Sequence, residues 1–147
     1  MKNKTIKRIV SVVLTLVIML SLSCMAFAAE ATKTTTRNGN TLTGFVSYFA
    51  QESQYGAAGD MDVSATWTGS KVAAMYATAE VVDYVSGESL KKVSNNASNT
   101  TSVLATSYVG ILNTRKVTVF GCGEIRDSFS LVVYPSISGT YGKSDGT

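Results

Sequence analysis

The chain contains no histidine. That absence removes the commonest general base at neutral pH, and with it Ser-His triads, Cys-His dyads and most zinc sites. Proline and tryptophan each occur once, and the only cysteines are Cys24 and Cys122. No internal disulfide framework follows, because Cys24 falls in an amino-terminal targeting segment and leaves Cys122 alone. Repeats of fixed period and long linkers are missing too, so solenoids and arrays are excluded.

What is present begins with that segment. Lys2, Lys4, Lys7 and Arg8 form a positive region, Ile9 to Leu22 an apolar run, and Ala26-Phe27-Ala28 a small-x-small cleavage site. Cleavage is expected after Ala28. The apolar run is short for a spanning helix and lacks a basic stop-transfer cluster. A lipoprotein signal at Cys24 fits less well, since the expected leucine is displaced to Leu22 and Met25 follows. In style the segment resembles export signals of small Gram-positive proteins, a resemblance confined to these residues that implies secretion and an extracellular location. Removing it takes away four basic side chains and no acidic ones. The mature 119 residues then carry nine basic and ten acidic groups, net −1. The basic balance of the whole chain belongs to the signal, so nucleic acid is not an expected partner, and the membrane is one only during export.

The stretch from Met61 to Leu90 organises the rest. Met61, Val63, Ala65 and Trp67 alternate with polar residues at the period of a half-buried strand. Gly69-Ser70 reads as a type II′ hairpin turn that sets Trp67 against Val72 and Val63 against Tyr76. A second turn at Gly87-Glu88 sets Val85 against Leu90 and Asp83 against Lys92. Further strands are predicted over 41–50, 101–109, 115–120 and 128–133, the last ending at Pro135. Residues 45–55 also admit a helix. Gly44 reads as a bulge, 54–60 as a loop and 95–100 as a polar tip. The expected architecture is all-β, an antiparallel β-sandwich or small barrel of six to seven strands. It divides into a signal peptide (1–28), a flexible leader or loose edge segment with an Asn38-Gly39 turn signal (29–40), a β domain (41–135) and a tail (136–147).

Candidate functional residues are few. Asp60 and Asp62 share a strand face, and Glu124 and Asp127 flank Arg126. Paired carboxylates facing each other across a cleft suit glycoside hydrolysis, but a domain of this size leaves little room for one. Asp60 and Asp62 alone supply too few oxygens for calcium, so no metal or cofactor is expected. Cys122, between Gly121 and Gly123, reads as a free thiol, a link to a second chain in a homodimer, or a small buried apolar group. Tyr48, Tyr55 and Tyr108 are the candidate surface contacts, and Trp67 is expected in the core. Asn96-Ala97-Ser98 and Asn99-Thr100-Thr101 match the glycosylation pattern, which matters only in a host that modifies it.

These features together point to an exported, non-enzymatic domain that binds a protein or glycan, or associates structurally, at or outside the cell surface. Two alternatives stay open. One is a membrane-active, bacteriocin-like toxin built from amphipathic hairpins. The other is a small carboxylate-dependent hydrolase.

Overall fold

The structure, a computed structural model, describes residues 26–141. The basic and apolar regions of the expected signal, Cys24 and residues 142–147 of the expected tail lie outside them. Nine strands follow in order: β1 (Ala26–Arg37), β2 (Asn40–Ser53), β3 (Gly56–Trp67), β4 (Val72–Asp83), β5 (Ser89–Thr100), β6 (Ser102–Leu112), β7 (Arg115–Arg126), β8 (Ser130–Val133) and β9 (Ser136–Tyr141). No helix occurs among the described residues. The wealth of Val, Thr, Tyr and Ser, which pack well on pleated surfaces, accords with an all-β chain.

The strands form two antiparallel sheets. The first, sheet A, has the order β1-β2-β3-β6; the second, sheet B, runs β5-β4-β7-β8, with β9 also pairing β7. Strands β8 and β9 act as one edge strand interrupted at Tyr134-Pro135. Val133 pairs Gly123 and Ser136 pairs Phe120, while the Pro135 carbonyl accepts from Gly121 N–H at 2.7 Å. Proline lacks an N–H, and a break in an edge strand is where that lack costs least.

Period-2 alternation decides what lies inside. Leu42, Val46, Met61 and Val63 of sheet A, with Met75, Val81, Val119 and Ile125 of sheet B, are buried in one core. Trp67 joins them, its ring 5.8 Å from that of Phe129. Truncating one such residue to alanine is expected to cost about 2–5 kcal/mol.

Several expectations change. The Gly69-Ser70 hairpin does not form: β3 and β4 belong to different sheets, and residues 68–71 carry the chain across the core. Alternation could not reveal this, because two strands with apolar faces obey it equally when paired edge to edge or stacked face to face. Gly69 is needed for space and not for a left-handed φ, since a Cβ there would strike the Trp67 indole. Tyr76 accordingly lies outside the core, on the outer side of sheet B.

The β4–β5 register also differs. Asp83 ends β4 by accepting from the Val85 and Ser86 N–H groups, each at 2.9 Å, and the turn runs over residues 84–88. Lys92 therefore stands opposite Glu80 and not Asp83. Gly44 makes no bulge, as β2 keeps unbroken register with both neighbours; a Cβ there would meet Val133 across the core. Most of the 54–60 segment is strand β3, and the 95–100 tip belongs to β5.

The leader contributes the edge strand of sheet A, and part of the tail is a strand as well. Residues 29–37 form most of β1, paired to β2 through the Asn38-Gly39 turn, where both residues have positive φ. The turn chemistry was visible, but an isolated polar, Thr-rich strand shows no apolar period. Residues 136–141 form β9, which buries Ile137 and Tyr141.

Candidate functional site

The pairing that builds sheet A lays its outward side chains in rows across the strands. One row is Ala28, Phe49, Asp60 and Tyr108; the next is Glu30, Ser47, Asp62 and Thr106. Phe49 points outward because its neighbours Tyr48 and Ala50 point in, as the pleat requires. Phe49, Gln51, Ala58, Gly59, Asp60 and Tyr108 line a shallow groove of about 210 Å³. Phe49 also borders a second groove of about 310 Å³ beside β1. Gly59 is buried on the inward parity opposite Ala50 and lets β2 and β3 approach closely: a Cβ there would overlap the Phe49 carbonyl and the Ala50 backbone.

Charge on this side is of one sign. Asp60, Asp62 and Glu30 face outward, and none of them has a hydrogen-bond or ion-pair partner among the described residues. The only basic residues in the strands of sheet A, Lys33 and Arg37, fall in the alternate rows. Apolar groups continue along the edge strand β6, where Leu104 and Leu112 are exposed in line with Tyr108. Beyond the end of the sheet, Tyr55 stands exposed in the β2–β3 turn.

The outer side of sheet B uses the same residue types differently. Arg126 donates from Nε and Nη2 to both Glu124 oxygens, at 2.7 and 2.9 Å, and its guanidinium lies 4.7 Å above the Tyr76 ring. Lys116 sits 3.8 Å over Tyr84. Glu80 is flanked by Phe120 on one strand and Lys92 on the other. At the lower end Asp83 pairs with Arg115 at 3.4 Å. The Ser86 and Val85 N–H groups, with help from Arg115, hold the Asp83 carboxyl below its ordinary value.

Of the sequence-nominated residues, Tyr55 and Tyr108 are on the surface and Tyr48 is not. Tyr48 is fully buried, its ring edge-on to Tyr141 at 4.9 Å and its hydroxyl donating to the Val109 carbonyl at 3.4 Å. Burial, then the neighbouring Tyr141 and Tyr108, push its hydroxyl pKa up. Its place between Val46 and Ala50 on the inward parity was the signal against surface contact.

Cys122 lies in mid-strand β7 and not at a turn. It is half-buried opposite Thr78, and burial, then Glu124, raises its thiol pKa. Asp60 and Asp62 share a face as expected, side by side on one strand. Asp127 is engaged by the Ala73 and Ser128 N–H groups, which lower its pKa. Among the described residues no cluster of three or more acidic or cysteine groups is placed to hold a metal ion.

Sequence reasoning passed over Phe49 as a surface group. Its signal was a second aromatic directly following an inward Tyr48. No family model, no curated protein and no solved structure matches this chain.

Proposed function

We propose that this chain is an exported, non-enzymatic β-sandwich domain that binds at the outer surface of the cell, and that the outer side of sheet A is its contact face. The observation that carries this reading is the row Phe49, Asp60, Tyr108. It sets two exposed rings on either side of a carboxylate that, among the described residues, has no partner and shares its sheet face with no basic side chain. Large exposed aromatics beside unsatisfied polar groups are the composition of contact surfaces. Cleavage after Ala28 keeps the nine pairs from Ala29 with Tyr48 to Arg37 with Asn40. It also clears the row position beside Phe49.

The test is sedimentation of the mature protein with cell walls isolated from the producing organism. Retention that falls when Phe49 and Tyr108 are both changed to alanine supports the reading. Retention unchanged by that double substitution would overturn it, as would leakage from lipid vesicles at the concentrations that bind walls. Amino-terminal sequencing of the secreted chain is expected to begin at Ala29; a lipid-modified Cys24 would move the protein to the membrane.

A further inference from the structure

We infer that the groove between Phe49 and Tyr108 is a site for a small organic cation, a quaternary ammonium group. The inference rests on the proposed contact face and names the ligand chemistry that its central groove accepts.

Sheet B supplies the pattern. There, Arg126 satisfies a carboxylate and an aromatic face together, forked to Glu124 and stacked on Tyr76. In the row through Glu80, an aromatic flanks the carboxylate on one strand and a lysine on the other. Sheet A repeats the aromatic–acid pair at Phe49 and Asp60, but its third position is Tyr108. Both sides of the acid are thus aromatic, and no cation comes from the protein among the described residues.

The geometry suits one from outside. Adjacent strands lie about 4.8 Å apart, so Phe49 and Tyr108 start about 10 Å apart on either side of Asp60. A cation seated over Asp60 is then about 5 Å sideways from each flanking strand, a spacing of the order of the roughly 6 Å over which an aromatic face attracts positive charge.

Charge and shape select further. Asp62 and Glu30 add negative potential in the next row, with no basic residue among the described ones beside them to cancel it. A hydrated metal ion gains little from two aromatic walls, and only one carboxylate stands between them. A neutral apolar group would leave Asp60 uncompensated. A cation with a hydrocarbon surface meets both demands, because its methyl groups cover the rings while its charge faces the carboxylate. The outward residue beside Asp60 is the small Ala58, so the floor is low enough to let such a group settle between the rings.

The experiment is amide NMR of the mature protein titrated with tetramethylammonium chloride. Sodium chloride at matched ionic strength and the neutral analogue tert-butanol serve as controls. Saturable shifts centred on Phe49, Asp60 and Tyr108, absent with both controls, are expected. Asp60→Asn should weaken binding by about tenfold or more, and Tyr108→Leu likewise, with amide dispersion retained in both. Equal shifts with tert-butanol, or an Asp60→Asn variant that binds as well as the parent, would overturn the inference. If no tetramethylammonium binds while wall retention still depends on Phe49 and Tyr108, the cation site falls and the contact face stands. If retention is also indifferent to those residues, both fall.

Discussion

Two rows of side chains, one on each sheet, both set an acid beside a phenylalanine and differ in chemical kind at the third position. On sheet B the row reads Phe120, Glu80, Lys92; on sheet A it reads Phe49, Asp60, Tyr108. The lysine gives the sheet B acid a neighbour of opposite charge from within the chain. The tyrosine leaves the sheet A acid between two rings and without a partner among the described residues. Cross-strand pairs of opposite charge and cation–π contacts are each worth up to about 1 kcal/mol at exposed positions. Sheet B collects such contacts at Arg126 and Lys116; in sheet A the one among the described residues, Arg37 over Phe129, comes from the alternate rows and not from the outer side. On the proposed reading, the difference separates a face that stabilises itself from one that leaves its chemistry for a partner.

The largest effect is expected beneath the sheet A row, at the buried Gly59. Gly59→Ala places a methyl group where the Phe49 carbonyl and Ala50 backbone already lie. It is expected to cost about 3 kcal/mol or more, because backbone cannot move aside as a side chain can. Urea denaturation measures this, and a variant as stable as the parent would mean that β2 and β3 approach less closely.

A smaller effect belongs to Asp83, which anchors the end of sheet B by accepting N–H bonds and pairing with Arg115. Its carboxyl is held below its ordinary value of 3.8. A depressed folded-state pKa adds stability that is present above the unfolded value and lost as pH falls through the folded one. The urea midpoint of the parent should therefore drop as pH is taken below about 4. Asp83→Asn should start lower at pH 7 and lose less over the same interval, with Asp127 supplying the remaining slope. Identical pH profiles for parent and variant would remove Asp83 from this role.

Thr106→Lys sharpens the comparison directly. Thr106 is exposed, stands opposite Asp62 and lies two residues from Tyr108. A lysine there supplies sheet A with the kind of cation that sheet B already has. Stability should change by less than about 0.5 kcal/mol, while tetramethylammonium binding falls by about tenfold. The converse, Lys92→Tyr, removes the cation from the sheet B row and sets Glu80 between two rings. It should leave the urea midpoint nearly unchanged and add a second, weaker set of tetramethylammonium shifts around Glu80.

Much of this was legible beforehand, and the gaps have definite causes. Alternation at Met61, Val63, Ala65 and Trp67 placed a strand and its inward face. The Asn38-Gly39 dipeptide marked a turn that exists, but β1 itself was hidden because its Thr-rich stretch shows no apolar period. The sheet assignment of β3 and β4 was beyond reach, since hydrogen-bonding partners leave no trace in the period of one strand. At the site, Asp60 and Tyr108 were both singled out from the sequence. Their adjacency depends on β3 pairing with β6, more than forty residues away in the register of Asp60 with Tyr108. Phe49 became visible as the third member only once Tyr48 was known to point inward.

The central claim is that the outer side of sheet A, and not equal exposure elsewhere, does the binding. Tyr108 and Tyr134 allow a matched test, since both are 66% exposed and Tyr134 lies at the edge of sheet B, just beyond β8. Tyr108→Ser and Tyr134→Ser should be compared for retention on the producer's cell walls, with both variants confirmed as folded. The account predicts at least a roughly tenfold loss for Tyr108→Ser, as for a central aromatic contact, and parent-like retention for Tyr134→Ser. Equal losses, or a loss confined to Tyr134→Ser, would contradict it.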